Sequence, residues 1–287
     1  MPETPDAQAQ AEARAAIAAA GTLPDHEIDL AAVALQFARI DRPDADWRGA
    51  AQALSELARQ AVQAALASPK AEAGDLVQRA NALATVIHEA AGYDGDSETY
   101  DDLANANLID VIRRKRGLPV ALGIVWLHAA EAAGWGAHGV DFPGHFLVAL
   151  EGGRGQAVVD VFHGGAPLGA PELRHLLKRM EGEKAELRPG LLVAMTKRGV
   201  LLRLQNNIKL RRLRAGDMPG ALACTEDMLR LAPTHAPMWR EAGLMNQRLD
   251  RIGAALQCLD RCLELEPEGE MASRVRQVVD DLRQRLN

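Results

Sequence analysis

The feature that most limits the architecture of this chain is a repeat near its end. Ala221 recurs as Ala255, Leu222 as Leu256, Leu231 as Leu265 and Pro233 as Pro267, each pair 34 positions apart. A period in this range marks a stacked supersecondary unit that cannot bury its apolar face alone. The residue types say which unit: leucines at helical spacing, a small residue where two helices would approach, and a proline that ends the second helix. The second copy also carries Trp239 and Gly243, whereas the first has Gln205 and Lys209 at those positions. A last helix is predicted over 271–286. Two helix pairs plus one helix fall short of the roughly three repeats that hold on their own, so the block is expected to pack on the rest of the chain.

This period, with its Trp, Gly, small residue and closing Pro, resembles the tetratricopeptide repeat. The resemblance implies a protein-interaction surface, and a purely stabilising subdomain fits equally well because two repeats offer little concave surface. Lys209, Arg211, Arg212 and Arg214 form a cationic cluster in the first copy. It suits an acidic partner tail, or, as is commoner for such a run, a solvated helix face.

Composition narrows the classes further. A formal charge of −6 over 287 residues, with 48% hydrophobic content, supports a packed core and leaves no electrostatic footprint for nucleic acid. No stretch approaches about 18 uninterrupted apolar residues, and the first twenty residues are too polar for a secretory signal. A cytoplasmic protein without a membrane partner is the expectation. Cys224, Cys258 and Cys262 are the only cysteines; an odd number confined to the last quarter predicts reduced thiols rather than a disulfide framework. No cysteine nucleophile can therefore lie before position 224.

Residues 1–27, rich in Ala, Glu and Gln and broken at Gly21 and Pro24, read as a flexible N-terminal arm or a frayed helix. Helical spacing then predicts three helices between Asp29 and Gly92, and a further helix over 103–116 that stops at Gly117. Another should begin at Pro119 and reach Gly134; it is apolar on nearly every side and hence buried. Short runs over 137–142, 145–151 and 157–162, separated by Pro-Gly and Gly-Gly-Arg-Gly, predict a small antiparallel sheet. A helix over 171–180, a charged linker over 181–189 and a long helix over 191–215 complete the chain. The fold class expected is α+β over 28–185, helices against a small antiparallel sheet, followed by an all-α repeat region over 190–287.

Three motifs carry chemistry: Gly117-Leu-Pro-Val-Ala-Leu-Gly, then Gly139-Val-Asp-Phe-Pro-Gly-His145-Phe-Leu-Val, then Val158-Val-Asp160-Val-Phe-His-Gly-Gly165. In this order, and followed by helical repeats, they resemble the SirB-type branch of the transglutaminase-like (papain-like) family over about residues 28–270. The wider superfamily sets a Cys at a helix N-terminus, a His on the next strand and an Asp on the strand after it. A helix N-terminus and an imidazolium stabilise the thiolate, and the carboxylate orients the imidazole. His145 and Asp160 match the later two members. The first is missing: between Gly117 and Gly134 there is no Cys, Ser or Thr. Upstream, Tyr100, Asn105, Ala106 and Asn107 stand where the family often has Tyr and Asn-Ser, so a hydroxyl is lost at Ala106 as well.

These residues point to a non-catalytic, transglutaminase-like pseudoenzyme that binds a protein or peptide in a regulatory or accessory role, without a cofactor. His145 and Asp160 are its vestigial catalytic positions, and Pro143, Gly144, Phe146 and Asn105 the residues expected at a ligand. The rival is a hydrolase or peptidase that uses the His145/Asp160 dyad to activate water. His138, Asp141, His145, Asp160 and His163 lie close in sequence, but no pair has helical metal-ligand spacing and strand alternation need not put them on one face, so no metal site is expected. His128 reads as a satisfied core histidine. The basic run of Arg113, Arg114, Lys115 and Arg116 reads as cations on a helix C-terminus, with a phosphate or acidic peptide as the lesser alternative.

Overall fold

A computed structural model describes residues 4–153 and 155–286. The chain divides into two compact units: one takes the chain up to Ala13 and Pro24–Leu204, the other Arg14–Leu23 and everything from Gln205. Two of the three division points fall inside helices, Pro5–Gly21 and Lys197–Arg214, and the third falls between Leu23 and Pro24.

Of the two forms expected of the N-terminal segment, the described residues take the helical one. Pro5–Gly21 forms α1, in which Ala13 and Ile17 are fully buried. The alanines that suggested low complexity are the strongest helix formers, and they leave only Ile17 as a large apolar anchor.

In the first unit, acidic and amide caps decide where helices start. Asp29 accepts the Ala32 N–H at the head of α2 (Leu30–Asp41), and Asp46 accepts that of Gly49 at the head of α3 (Trp47–Leu66). Asp75 accepts the Val77 and Gln78 N–H groups ahead of α5 (Leu76–Ala84). Each satisfies donors that a helix leaves orphaned in its first turn. A four-residue α4 (Pro69–Glu72) with Pro in its first turn interrupts the region predicted as three helices, and α5 runs on into a π-helical turn at Thr85–Ala90.

The two-residue strands β1 (Asp94–Gly95) and β2 (Arg116–Gly117) pair in parallel. The helix expected over 103–116 is split into a 3₁₀ turn, Leu103–Asn105, and α6 (Leu108–Arg114), because the Asn107 side chain caps the Ile109 and Asp110 N–H groups. It stops at left-handed Lys115 (φ 58°), two residues ahead of Gly117. Next comes α7 (Pro119–Ala132), in which Pro119 through Leu127 are all buried, as its uniformly apolar surface predicts.

Four strands follow as an antiparallel meander: β3 (Ala137–Phe142), β4 (His145–Gly152), β5 (Gly155–Asp160) and β6 (Ala166–Leu168). The three-residue β6 is too short to show a period and lies outside the predicted strands. The β4 strand is buried on both faces. Leu147 and Ala149 join Val140, Phe142 and Val158 in a core with Leu173, Leu176 and Leu177 of α8 (Ala170–Glu181). Phe146, on the opposite face, rests against Gly123 of α7, where a Cβ would come within 2.2 Å of the ring.

The long helix α9 (Lys197–Arg214) starts six residues later than expected, after Ala194 bridges to Val140. The second unit continues through α10 (Met218–Leu231), α11 (Ala236–Arg248), α12 (Ile252–Leu265) and α13 (Glu270–Leu286). The repeat positions are its contact points: Ala255, Leu259 and Cys262 pack with Val275, Val279 and Leu282. A Cβ on Gly243 would lie 2.7 Å from the Leu259 side chain. The cationic cluster is engaged within this unit. Lys209 Nζ donates to Glu241 at 2.5 Å, Arg211 bonds to Asn207, and Arg212 donates to the Gly220 carbonyl. The three cysteines are thiols outside any disulfide, Cys224 and Cys262 buried and Cys258 half-buried, and the Cys224 thiol donates to the Gln205 carbonyl.

Candidate functional site

The site grows from the register of β4 and β5. Val148 pairs with Val159, so continuing the ladder sets Leu147 opposite Asp160. His145, two residues back along β4, shares that face because side chains alternate with a period of two. The pair closes: His145 Nε2 donates to Asp160 Oδ1 at 3.0 Å, with both side chains over nine-tenths buried. Asp160 also ends β5 as the N-cap of a 3₁₀ turn, Val161–His163, accepting the Phe162 N–H at 3.1 Å. With three residues per turn, that geometry brings position 163 back over position 160. His163 Nδ1 donates to Asp160 Oδ2 at 2.8 Å from a ring that is 59% exposed.

One carboxylate thus serves two imidazoles. Burial is the largest single influence on Asp160 and pushes its carboxyl up. The hydrogen bonds and charges of His145 and His163 together outweigh it and hold the group below its ordinary value. An ionised carboxylate can only accept, so the two ring nitrogens that face it carry the protons. Phe162 stands edge-on to both imidazoles, with centroids 6.4 Å from His145 and 5.1 Å from His163, and the half-exposed Tyr100 stands edge-on to Phe162 at 5.9 Å. Gly165 (φ +78°) closes the turn so tightly that a Cβ would sit 2.1 Å from the Trp126 ring of α7.

Beside the pair lies a groove of about 450 Å³, bounded by Asp160, His163, Leu168 of β6, and His175, Leu176 and Arg179 of α8. Its walls come from β6 and α8, whereas the superfamily's thiol would sit at the start of α7. Sequence reasoning missed Arg203 of α9. Its Nη2 donates to the His145 carbonyl at 2.9 Å, its guanidinium pairs with Asp141, and it lies 5.8 Å over the Phe146 ring. With 58 positions between Arg203 and His145, no local signal could have linked them.

The structure sorts the remaining candidates. Phe146 and Asn105 are interior, 1% and 0% exposed. Phe146 is wedged against α7, and Asn105 donates to the Thr99 carbonyl while accepting from Arg114, and neither lines the groove. Pro143 and the exposed Gly144 form the β3–β4 turn, where Gly144 (φ +66°) meets Met180. Of the five residues clustered in sequence, which strand alternation need not put on one face, His145, Asp160 and His163 come together. His138 instead bonds to Glu151 at 2.6 Å, and Asp141 pairs with Arg203. His128 Nε2 lies 3.3 Å from the Leu54 carbonyl. The basic run is consumed by acids more than by a helix end: Arg113 and Arg42 both pair with the buried Asp110, and Arg114 with Asp96.

An antiparallel meander with His and Asp on consecutive strands, backed by a buried helix that enters through a proline, is the arrangement of transglutaminase-like domains. Residues 48–206 match the model of the transglutaminase-like superfamily and residues 208–280 that of the tetratricopeptide repeat; the chain belongs to the transglutaminase-like superfamily, with a C-terminal repeat region. Over nearly its whole length it is similar to proteins named UPF0162. The one from Xylella fastidiosa (strain Temecula1) is 30% identical over 267 residues, 91% of this chain and 92% of the relative. The one from Vibrio cholerae is 28% identical over 228 residues, 79% and 83% respectively. Among the described residues, no helix is long and apolar enough to cross a membrane.

Proposed function

We propose that this protein is a non-catalytic, transglutaminase-like binding module of the SirB-type branch. It holds a peptide or protein segment along the groove between β6 and α8, and the repeat region takes part in engaging the same partner. The observation that carries this reading is a separation of features. The segment Gly117–Gly134, where the superfamily sets its nucleophile, has no Cys, Ser or Thr, yet the His145–Asp160 pair and an adjoining groove persist. Without a thiol or hydroxyl at that position, acyl transfer has no attacking atom. The groove mixes apolar wall, from Leu168 and Leu176, with exposed polar groups of both signs, His175 and Arg179 beside Glu172, the composition that suits an extended peptide with polar side chains. Repeats of this type commonly mediate protein interactions, which supports the same class of role.

The test has two arms. Purified full-length protein incubated with glutamine donors and peptide amides should show no transamidation or hydrolysis. Turnover that vanishes in His145→Ala would replace this reading with that of a hydrolase. In the second arm, peptides retained from a random library by the wild-type chain should be lost at least about tenfold by the groove variants Leu168→Asp and Arg179→Glu, since central groove residues dominate such affinities. Retention unchanged by both would remove the groove from the function.

A further inference from the structure

We propose that His145 Nε2, Asp160 and His163 Nδ1 form a three-donor site for a divalent transition-metal ion, with zinc the best match. The inference is independent of the peptide-binding reading, and its readout does not involve a peptide. The three ligand atoms already lie within 4.8 Å of one another. His145 Nε2 lies 3.0 Å from Asp160 Oδ1 and His163 Nδ1 2.8 Å from Asp160 Oδ2, each close to the about 3.3 Å that separates donors around a tetrahedral ion with bonds of about 2.0–2.1 Å, so each imidazole sits at ligand spacing from one oxygen of the same carboxylate. An ion placed among them takes the place of the two protons that now join each imidazole to the carboxylate, as expected for donors that must be unprotonated to bind metal. The His163 ring is exposed and lies on a short turn, so it has room to rotate and bring its Nδ1 and the His145 Nε2 onto one carboxylate oxygen.

The donor chemistry selects the ion. Two imidazole nitrogens and one carboxylate oxygen make a borderline set that suits zinc, cobalt or nickel better than the oxygen-seeking calcium or magnesium. The Phe162 N–H fixes Asp160 Oδ1 from behind, the kind of outer contact that orients a carboxylate ligand. His145 is anchored by its place at the head of β4. An entry path exists because His163 is mostly exposed and the groove of about 450 Å³ reaches both Asp160 and His163. Three protein donors leave the fourth position facing that groove, open to water or to a carboxylate from outside. The other nearby candidates are spoken for: Glu151 holds His138 and Arg203 holds Asp141.

The experiment uses the tag-free full chain, stripped with chelator and desalted. It is titrated with Zn²⁺ by calorimetry and with Co²⁺ by visible absorption. One ion per chain is expected, with a cobalt spectrum of a low-coordinate nitrogen–oxygen site. His163→Ala should weaken binding at least about tenfold, since even outer-shell losses around metal ligands reach 10–100-fold, and Asp160→Asn should do the same. His26→Ala, remote and exposed, should bind as the wild type does. His163 is exposed, so its variant keeps the test decisive even if Asp160→Asn fails to fold. Absence of saturable uptake at one ion per chain, or equal affinity in His163→Ala and wild type, overturns the proposal.

Discussion

At the scale of single residues, Asp160 does the most. It caps a turn, accepts from two imidazoles and ends a strand. His145 and Asp160 should therefore be energetically coupled: in a double-mutant cycle of His145→Ala and Asp160→Ala, urea unfolding is expected to show an interaction term of about 0.5–3 kcal/mol, and simple additivity would dissolve the pair. The pH dependence follows from the depressed carboxyl. Its folded value lies below the ordinary 3.8. Its contribution to stability is thus fully present above that pH and fades as pH falls below it, through the folded value. Asp160→Asn should cost about 1.5–3 kcal/mol at neutral pH, the range for hydrogen bonds to a charged group. The loss should shrink in acid, giving a flatter acid limb than wild type by thermal unfolding. A deficit that stays constant from neutral to acid would mean the carboxylate is not the stabilised form.

At the scale of elements, α2, α3, α5 and α6 begin where an Asp or Asn side chain caps them, and the Asn107 cap is what splits a predicted helix; left-handed Lys115 ends it. In the repeat region the governing contact is helix on helix at small residues. Gly243 of α11 faces Leu259 and Ala255 of α12, and a methyl added there would come within 2.7 Å of the Leu259 side chain. Gly243→Ala should therefore destabilise despite alanine's better helix propensity. Overpacking of about 1–3 kcal/mol outweighs a propensity gain of about 1 kcal/mol. A chemical-denaturation midpoint at or above wild type would show that the helix pair has slack. The 34-residue period marks the α12 side of this contact, because it repeats a small residue at Ala221 and Ala255, whereas β6 carried no such signal.

At the scale of the whole molecule, the burial of α1 goes beyond the frayed helix or arm expected of this segment. Ile17 is fully buried and Arg14 pairs with the buried Asp227 at 2.9 Å. Ile17→Ala is expected to cost about 2–5 kcal/mol, read as a lowered melting temperature; a change within error would restore the view of the N-terminus as an arm.

Whatever depends on local order was legible in the chain before it folded. That covers the repeat period, the buried α7, the small antiparallel sheet over β3–β5, the His145 and Asp160 positions, and the absence of a nucleophile between Gly117 and Gly134. Those follow from periodicity, turn residues and residue chemistry, which act over a few positions. Closure of the chain was needed to make Phe146 and Asn105 interior, to carry Arg203 to the backbone of His145, and to set the groove toward α8. It also brought His163 onto the same carboxylate as His145, while His138 and Asp141 went to other partners. These depend on which face of a strand meets which helix and on side chains dozens of positions apart, and burial together with long-range hydrogen bonding sets them only in the assembled fold.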